Sequence, residues 1–187
     1  RAALMACAQL TDQPVSEAVF CKTVLEVYPE LMYFFKAGQT AFDPGASTNE
    51  RDFRRTMDAI LCVYWIITDD FRAFARPQPQ NRRLKEDSWQ QLRAWAMEAV
   101  KLDTPASIDA MFAYIAVSSL GKLEGFKEDM GQDPQDSSAA IEAIVREHPE
   151  VVPSYNRLDK QWKDVVLRAL GVDFRFEQFL RAENIPG

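Results

Sequence analysis

Two adjacent aspartates are the first residues in the sequence whose type and spacing could do chemistry. Asp69 and Asp70 stand in the stretch TDDFRAF, directly after a long apolar run. Paired carboxylates on a helix can hold magnesium for diphosphate chemistry, but such a site needs a third acid one helical turn further on. Position 73 is an alanine, and no second acidic cluster with matching spacing follows on a later helix. The pair is therefore predicted to be a solvated helix end beside Arg72.

The single histidine, His148, is the next candidate. A haem protein needs a proximal histidine on a middle helix, and a zinc site needs several histidine or cysteine ligands. His148 is followed directly by Pro149, and no cysteine or carboxylate shows ligand spacing around it. An imidazole at a helix end can instead donate to the last carbonyl groups of that helix. The sequence predicts a structural histidine, no cofactor and no metal ligand.

The stretch AYIAVSSLGKLEGF, residues 113–126, is an apolar run followed by two serines, a glycine and a lysine. It resembles the central segment of HD-domain phosphohydrolases, where an apolar run leads to a His-Asp pair, one further residue, and then Gly-Lys. On this match Ser118 and Ser119 take the place of the His-Asp pair, and Gly121 and Lys122 that of Gly-Lys. The downstream stretch DPQDSSAAIEAIVREHPEVVPSYNRL is also similar to the loop and helix that follow in that family. The resemblance extends in architecture over residues 50–187.

The resemblance implies an HD-like fold whose metal centre is gone. An HD site needs an upstream histidine, the His-Asp pair and a later aspartate, because its metals bind imidazole and carboxylate together. No histidine precedes Ser118, hydroxyl groups are poor ligands, and Asp133 or Asp136 alone would not complete a site. Without the resemblance, Ser118, Ser119 and Gly121 are predicted to be a helix C-terminus with a small-residue packing contact. Neither interpretation places a metal here.

The elements that would position these residues are all predicted to be helices, because apolar residues recur at intervals of three and four and no alternating strand pattern occurs. A capping box from Ser47 to Glu50 opens a long helix to about residue 75, and Asp87 caps the next one. Thr104 and Pro105 start a helix that ends at Gly121, which is expected to adopt a left-handed conformation. Residues 14–36 are predicted to be helical with a break at Pro29, after which 30–38 forms a second short helix. The other predicted helices span residues 138–147, 159–170 and 174–183, and the predicted loops and connectors span 39–48, 76–83, 128–137 and 148–158.

Length and composition favour a single all-α domain, a helical bundle over residues 1–187 in which the helices of 1–46 form an extension packed on the core. The chain has 187 residues, of which 47% are hydrophobic and 27% charged. Its net charge of −6 and pI near 4.9 exclude nucleic acid as a partner. The run of Arg82, Arg83 and Lys85 is too short to change this, since Glu86 and Asp87 follow it at once.

Cysteine usage and hydropathy bear on the compartment. Cys7, Cys21 and Cys62 lie among apolar residues and form no CxxC pair, which predicts buried free thiols in an intracellular, reducing compartment or organelle. The longest apolar run, residues 59–67, is too short to span a bilayer, so no transmembrane segment is predicted. The chain begins at Arg1, and any targeting signal is not visible in it.

No complete catalytic set is found, and the sequence therefore predicts a non-catalytic helical protein. It would act as a scaffold or as a subunit of a larger assembly, a metal-less HD-like pseudoenzyme whose abundant aromatic residues contact protein partners. The alternative is an enzyme or a small-ligand-binding protein with an aromatic-lined pocket. The residues that would line this pocket are Tyr64, Trp65, Trp95 and Tyr114.

Overall fold

The computed structural model describes residues 17–35, 44–99, 101–133 and 138–180, and every regular element in these ranges is a helix. This confirms the all-α prediction. The α-helices are α1 (Glu17–Val27), α2 (Pro44–Thr68), α3 (Phe71–Ala75), α4 (Glu86–Ala99), α5 (Pro105–Leu120), α6 (Glu124–Asp129), α7 (Ser138–Glu147), α8 (Pro153–Asn156) and α9 (Lys160–Leu180). Short 3₁₀ helices span Pro29–Phe35, Gln80–Arg82 and Pro149–Val151. None of the described helices is both long and apolar enough to cross a membrane.

Helix α5 lies at the centre of the bundle. It begins as predicted, because the Thr104 hydroxyl accepts the backbone N–H of Ser107 at 3.2 Å while the Ser107 hydroxyl accepts that of Thr104 at 3.3 Å. Its residues are apolar on almost every side, a pattern typical of a helix surrounded by others. Ala113, Ala116 and Val117 are completely buried. Helix α5 packs against α2, α7, α8, α9 and the 3₁₀ helix Pro29–Phe35.

The N-terminal segment, residues 17–35, contributes side chains to the same hydrophobic cluster as the rest of the chain. Phe20 packs on Tyr64 of α2 with 6.1 Å between ring centroids. Tyr28 meets Phe112 of α5 edge to face at 6.4 Å. These two aromatic contacts therefore join segment 17–35 to α2 and α5.

The long helix predicted for residues 47–75 is divided in the structure. Helix α2 starts earlier, at Pro44, so the predicted capping box from Ser47 to Glu50 is wrong and residues 44–48 are not a loop. It ends at Thr68 because Asp69 adopts a φ of 57°, a left-handed conformation that interrupts the helical path. Asp70 then caps the short helix α3 by accepting the backbone N–H of Ala73 at 3.0 Å.

Other predicted boundaries also differ from the structure. Helix α4 starts at Glu86, so Asp87 lies in its first turn and does not cap it. The helices predicted at 159–170 and 174–183 are one helix, α9, which runs through Gly171. Residues 30–35 belong to a 3₁₀ helix that starts at Pro29, and the bridge 148–158 contains helix α8. The predictions for residues 14–16, 36–43, 134–137 and 181–183 lie outside the described ranges.

Candidate functional site

The serine pair lies in the last turn of α5, as predicted. The Ser118 hydroxyl donates to the carbonyl oxygen of Ile115 at 3.2 Å, and the Ser119 side chain is buried. Lys122, two residues beyond the helix end, is exposed. Consecutive helical residues point about 100° apart, so the two serines present their side chains to different surroundings. This arrangement is that of a helix C-terminus with small residues at a packing contact.

Gly121 does not adopt the left-handed conformation that was predicted. Its φ of −60° and ψ of −15° are right-handed, and it is buried. The chain continues in a tight turn, in which the N–H of Lys122 donates to the Ser119 carbonyl at 3.2 Å and that of Leu123 to the Leu120 carbonyl at 3.0 Å. Because this turn leads directly into α6, the helix end needs no reversal of the backbone.

Within the described ranges, no group of three or more histidine, cysteine or acidic side chains comes close enough together to hold a metal ion. Asp133, a candidate for a late metal ligand, is exposed at the end of a described range, and Asp136 lies outside the described residues. The residues next to Ser118 in the sequence, from Ile115 to Leu120, are apolar or small and provide no imidazole or carboxylate for a divalent cation.

The Asp69–Asp70 pair has two separate structural roles. The Oδ1 atom of Asp69 accepts the indole N–H of Trp89 at 2.9 Å and the amide of Gln90 at 3.3 Å, and it lies 3.6 Å from Nε of Arg93. The Trp89 hydrogen bond and the Arg93 charge lower the pKa of Asp69. Asp70 caps α3. The ion-pair partner of Asp69 is Arg93 on α4, and both aspartates are exposed, as expected for a solvated helix end.

His148 follows the end of α7, as predicted, but its ring does not bond to the last carbonyl groups of that helix. Its Nδ1 lies 3.4 Å from Oε1 of Glu150, and its side chain is half-exposed. The backbone N–H of His148, in contrast, donates to the Ile144 carbonyl at 2.7 Å. The imidazole belongs to a surface contact next to the 3₁₀ helix Pro149–Val151.

The aromatic residues predicted to line one pocket occupy different environments. Tyr64 is a core residue with 6% of its surface exposed, whereas Trp95 is 61% exposed. Trp65 is half-buried against Phe74, with 6.3 Å between ring centroids, and Tyr114 is half-buried on α5. A pocket that includes all four side chains would have to join the core to the outer surface of α4.

The exposed side of α4 carries the largest exposed aromatic side chain in the described part of the chain. Ser88, Leu92, Trp95 and Ala99 are spaced by four, three and four residues, so they lie along one side of the helix, and all are exposed. We call these four residues the α4 stripe. Trp89, one residue from its first member, is completely buried and packs on Phe74 with 4.6 Å between ring centroids. Helix α4 therefore presents one tryptophan to the core and another to solvent.

A buried acid, Glu30, was missed by sequence reasoning. It lies on the 3₁₀ helix Pro29–Phe35, is 2% exposed, and accepts the backbone N–H of Ser154 at 3.2 Å through Oε1. Its Oε2 and the Ser154 hydroxyl are buried without a hydrogen-bond partner among the described residues. Burial raises the pKa of Glu30, and contacts with Ser154 and the charge of Arg157 offset part of the rise. The apolar residues around Glu30 in the sequence are the one local sign of its burial.

Two of the cysteines, Cys21 and Cys62, form no disulfide bond in the structure. Cys21 and Cys62 are half-buried, less than predicted, and burial raises the pKa of Cys62. Cys7 lies outside the described residues.

One family model, described as a family of unknown function (DUF6829), matches residues 46–187. The chain belongs to the DUF6829 family. No curated protein and no solved structure matches the chain. The DUF6829 region contains helices α3 to α9 and nearly all of α2, together with the serine pair and the α4 stripe.

Segment 17–35 precedes the DUF6829 region and is joined to it by polar as well as apolar contacts. Besides the Glu30–Ser154 hydrogen bond, Nη1 of Arg157 donates to the Val27 carbonyl at 3.0 Å. The Arg157 guanidinium also lies 5.8 Å from the centre of the Tyr28 ring. These contacts fix the position of the segment on α8.

Proposed function

We propose that this DUF6829 protein is a non-catalytic helical subunit that binds a partner protein through the α4 stripe. The observation that carries the proposal is Trp95, which is 61% exposed and stands one helical turn from Leu92, itself 37% exposed. Exposed tryptophan is rare on a soluble surface and is enriched at the centres of protein interfaces. Trp89 on the same helix is completely buried in the core, so the packing of α4 does not depend on Trp95.

The α4 stripe by itself is smaller than one side of a standard protein interface. Leu92 and Trp95 together expose on the order of 200 Å², whereas one side of a standard interface buries about 800 Å². If two copies paired through their stripes, the apolar contact would stay far below that value. The partner must therefore bring further groups that fit the surroundings of the stripe.

The origin of the protein and its compartment are parts of the same proposal. We propose a metal-less HD-like ancestry, supported by the positions of Ser118 and Ser119 at the end of a central helix and of Gly121 and Lys122 just after it. An intracellular, reducing compartment is supported by Cys21 and Cys62, which form no disulfide bond.

The test compares the wild-type chain with the Leu92→Ser/Trp95→Ser variant as bait in an extract of the source cells, with quantitative mass spectrometry of the retained proteins. Val165→Ser on α9, where the side chain is 46% exposed, is the matched control for loss of an exposed apolar group. We expect at least one protein that wild type and control retain and the double variant loses, and that forms a complex of defined mass with the purified chain. Equal retention by all three baits would refute the proposal.

The alternative, an enzyme or ligand-binding protein that uses the aromatic residues, makes a different prediction. Trp65 and Tyr114 are half-buried and would have to line its pocket without Trp95. A phosphodiesterase and nucleotidase screen of metal-replete protein tests it. Turnover that is lost in Trp65→Leu but kept in Trp95→Ser would favour the alternative over the subunit proposal.

A further inference from the structure

The segment that precedes α4 carries cations and no acid. Arg76, Arg82, Arg83 and Lys85 lie within residues 76–85, which we call the basic loop, in a chain whose net charge is −6. All four side chains are exposed, and none forms an ion pair with another residue of the described ranges. The basic loop is therefore a local positive surface on an acidic protein.

The basic loop is held in one conformation by its own hydrogen bonds. The Gln78 side chain accepts the backbone N–H of Leu84 at 2.8 Å and donates to the Phe74 carbonyl at 3.3 Å, so it connects both ends of the loop. The N–H of Arg82 donates to the Pro79 carbonyl at 2.9 Å, and Leu84 packs against the core. A preformed loop loses little conformational entropy when it binds, which favours affinity.

The acids nearest in sequence do not neutralise the loop by pairing with it. Asp69 contacts Trp89 and Arg93, and Asp70 caps α3. Glu86 and Asp87 lie in the first turn of α4, where the positive end of the helix dipole stabilises them. They reduce the local positive charge, but the cations of the loop stay available to an external carboxylate.

The basic loop and the α4 stripe are close enough to contact one partner segment. Helix α4 begins directly after the loop, and at a rise of 1.5 Å per residue Leu92 and Trp95 lie about 9 Å and 14 Å along its axis from Glu86. A partner helix of about 12 residues is about 18 Å long. We propose that the two surfaces together bind a single protein segment that carries acidic residues beside an apolar face. This inference rests on the proposed function and names the chemistry of its partner.

Charge favours a protein segment over a nucleic acid or an anionic membrane. A long polyanion is repelled by the negative net charge of the whole chain. A short acidic segment interacts mainly with the cations of the basic loop, because charges further away than a Debye length of about 8 Å are screened at physiological salt. Arginine also forms paired hydrogen bonds with carboxylates, and three of the four cations of the loop are arginines.

The experiment measures binding of the purified full chain to a synthetic 16-residue helical peptide with leucines along one face and glutamates on the other, by fluorescence anisotropy. A peptide with glutamine at every glutamate position is its matched control. We expect the glutamate peptide to bind more tightly, and to lose affinity as salt rises. The triple variant Arg82→Gln/Arg83→Gln/Lys85→Gln should bind it about tenfold more weakly, because each exposed charged contact is screened by water and salt and contributes little by itself.

The variant Lys160→Gln/Arg168→Gln, which removes two exposed cations from α9, should leave the affinity unchanged. Circular dichroism melts establish that each variant is folded. If Leu92→Ser/Trp95→Ser abolishes binding but the loop variant does not, the proposed function stands and the acidic-partner inference is overturned. If neither variant changes binding, or if the glutamate peptide does not bind, the acidic-partner inference is overturned, and the retention experiment alone decides the proposed function. Tighter binding to a DNA duplex or to phosphatidylserine vesicles, with the same dependence on the basic loop, would also overturn the acidic-partner inference.

Discussion

The buried carboxyl of Glu30 allows the most detailed prediction about stability. Replacing Glu30 by alanine removes the acceptor of the Ser154 N–H, a hydrogen bond between residues 124 positions apart. A buried N–H left without a partner costs about 1–3 kcal/mol, and the lost side chain also leaves a cavity. We expect Glu30→Ala to lower the free energy of unfolding by about 3 kcal/mol, which for a chain of this size is about 6–12 °C in Tm.

The variant Glu30→Gln separates the shape of this side chain from its charge. It keeps an acceptor oxygen for Ser154 and has no proton to lose. Because burial raises the folded-state pKa of Glu30 above its ordinary value of 4.5, folding favours the neutral acid. The contribution of Glu30 to the free energy of unfolding is fully present below pH 4.5 and is lost as pH rises through the folded-state pKa.

The assay is the Tm of wild type, Glu30→Gln and Glu30→Ala by circular dichroism between pH 4 and pH 8. Glu26→Gln, an exposed position on α1, is the matched control. The Tm of wild type should fall relative to that of Glu30→Gln as pH rises, while Glu26→Gln shows no such trend against wild type. A difference between wild type and Glu30→Gln that stays constant over this range would show that the carboxyl does not titrate differently in the folded state.

Three further predictions follow from single contacts. Asp69→Ala should lower Tm more than Asp69→Asn in thermal melts, because asparagine keeps an acceptor for Trp89 and tolerates the φ of 57°; equal effects would contradict this. Trp89→Ala should lower the free energy of unfolding, measured in urea, by about 3–5 kcal/mol, whereas Trp95→Ser should lower it by less than about 0.5 kcal/mol. Similar losses for the two variants would mean that Trp95 packs on the core. Burial raises the pKa of Cys62, so its thiol should react more slowly with iodoacetamide in the folded chain than in urea, with the modification followed by mass spectrometry. Equal rates would show that the thiol is not buried.

The sequence by itself determined the helical class and the bounds of the central helix. Thr104 and Pro105 specify a helix start through interactions within one turn, and the apolar run that follows is buried whichever way it faces. The last-turn position of Ser118 and Ser119 follows from the same local pattern. Such features need no knowledge of distant residues.

Helix boundaries that depend on distant contacts were not predictable in this way. The break at Asp69 places its carboxylate against Trp89, which lies 20 positions later. Gly171 lies inside α9 where that helix meets α7, and a Cβ at this position would be 3.5 Å from Oε2 of Glu142. A glycine in a helical pattern marks either an end or a close contact, and only the neighbouring helix distinguishes the two.

Which residues are candidates for a functional role depends most strongly on tertiary structure. Trp89 and Trp95 have the same side chain on the same helix, yet one is completely buried and the other is 61% exposed, because only one side of α4 packs against α2 and α3. Glu30 is likewise buried because α8 brings Ser154 to it. Periodicity specifies which residues share a face, but the packing of other elements decides which face is covered, and that depends on contacts between residues far apart in the chain.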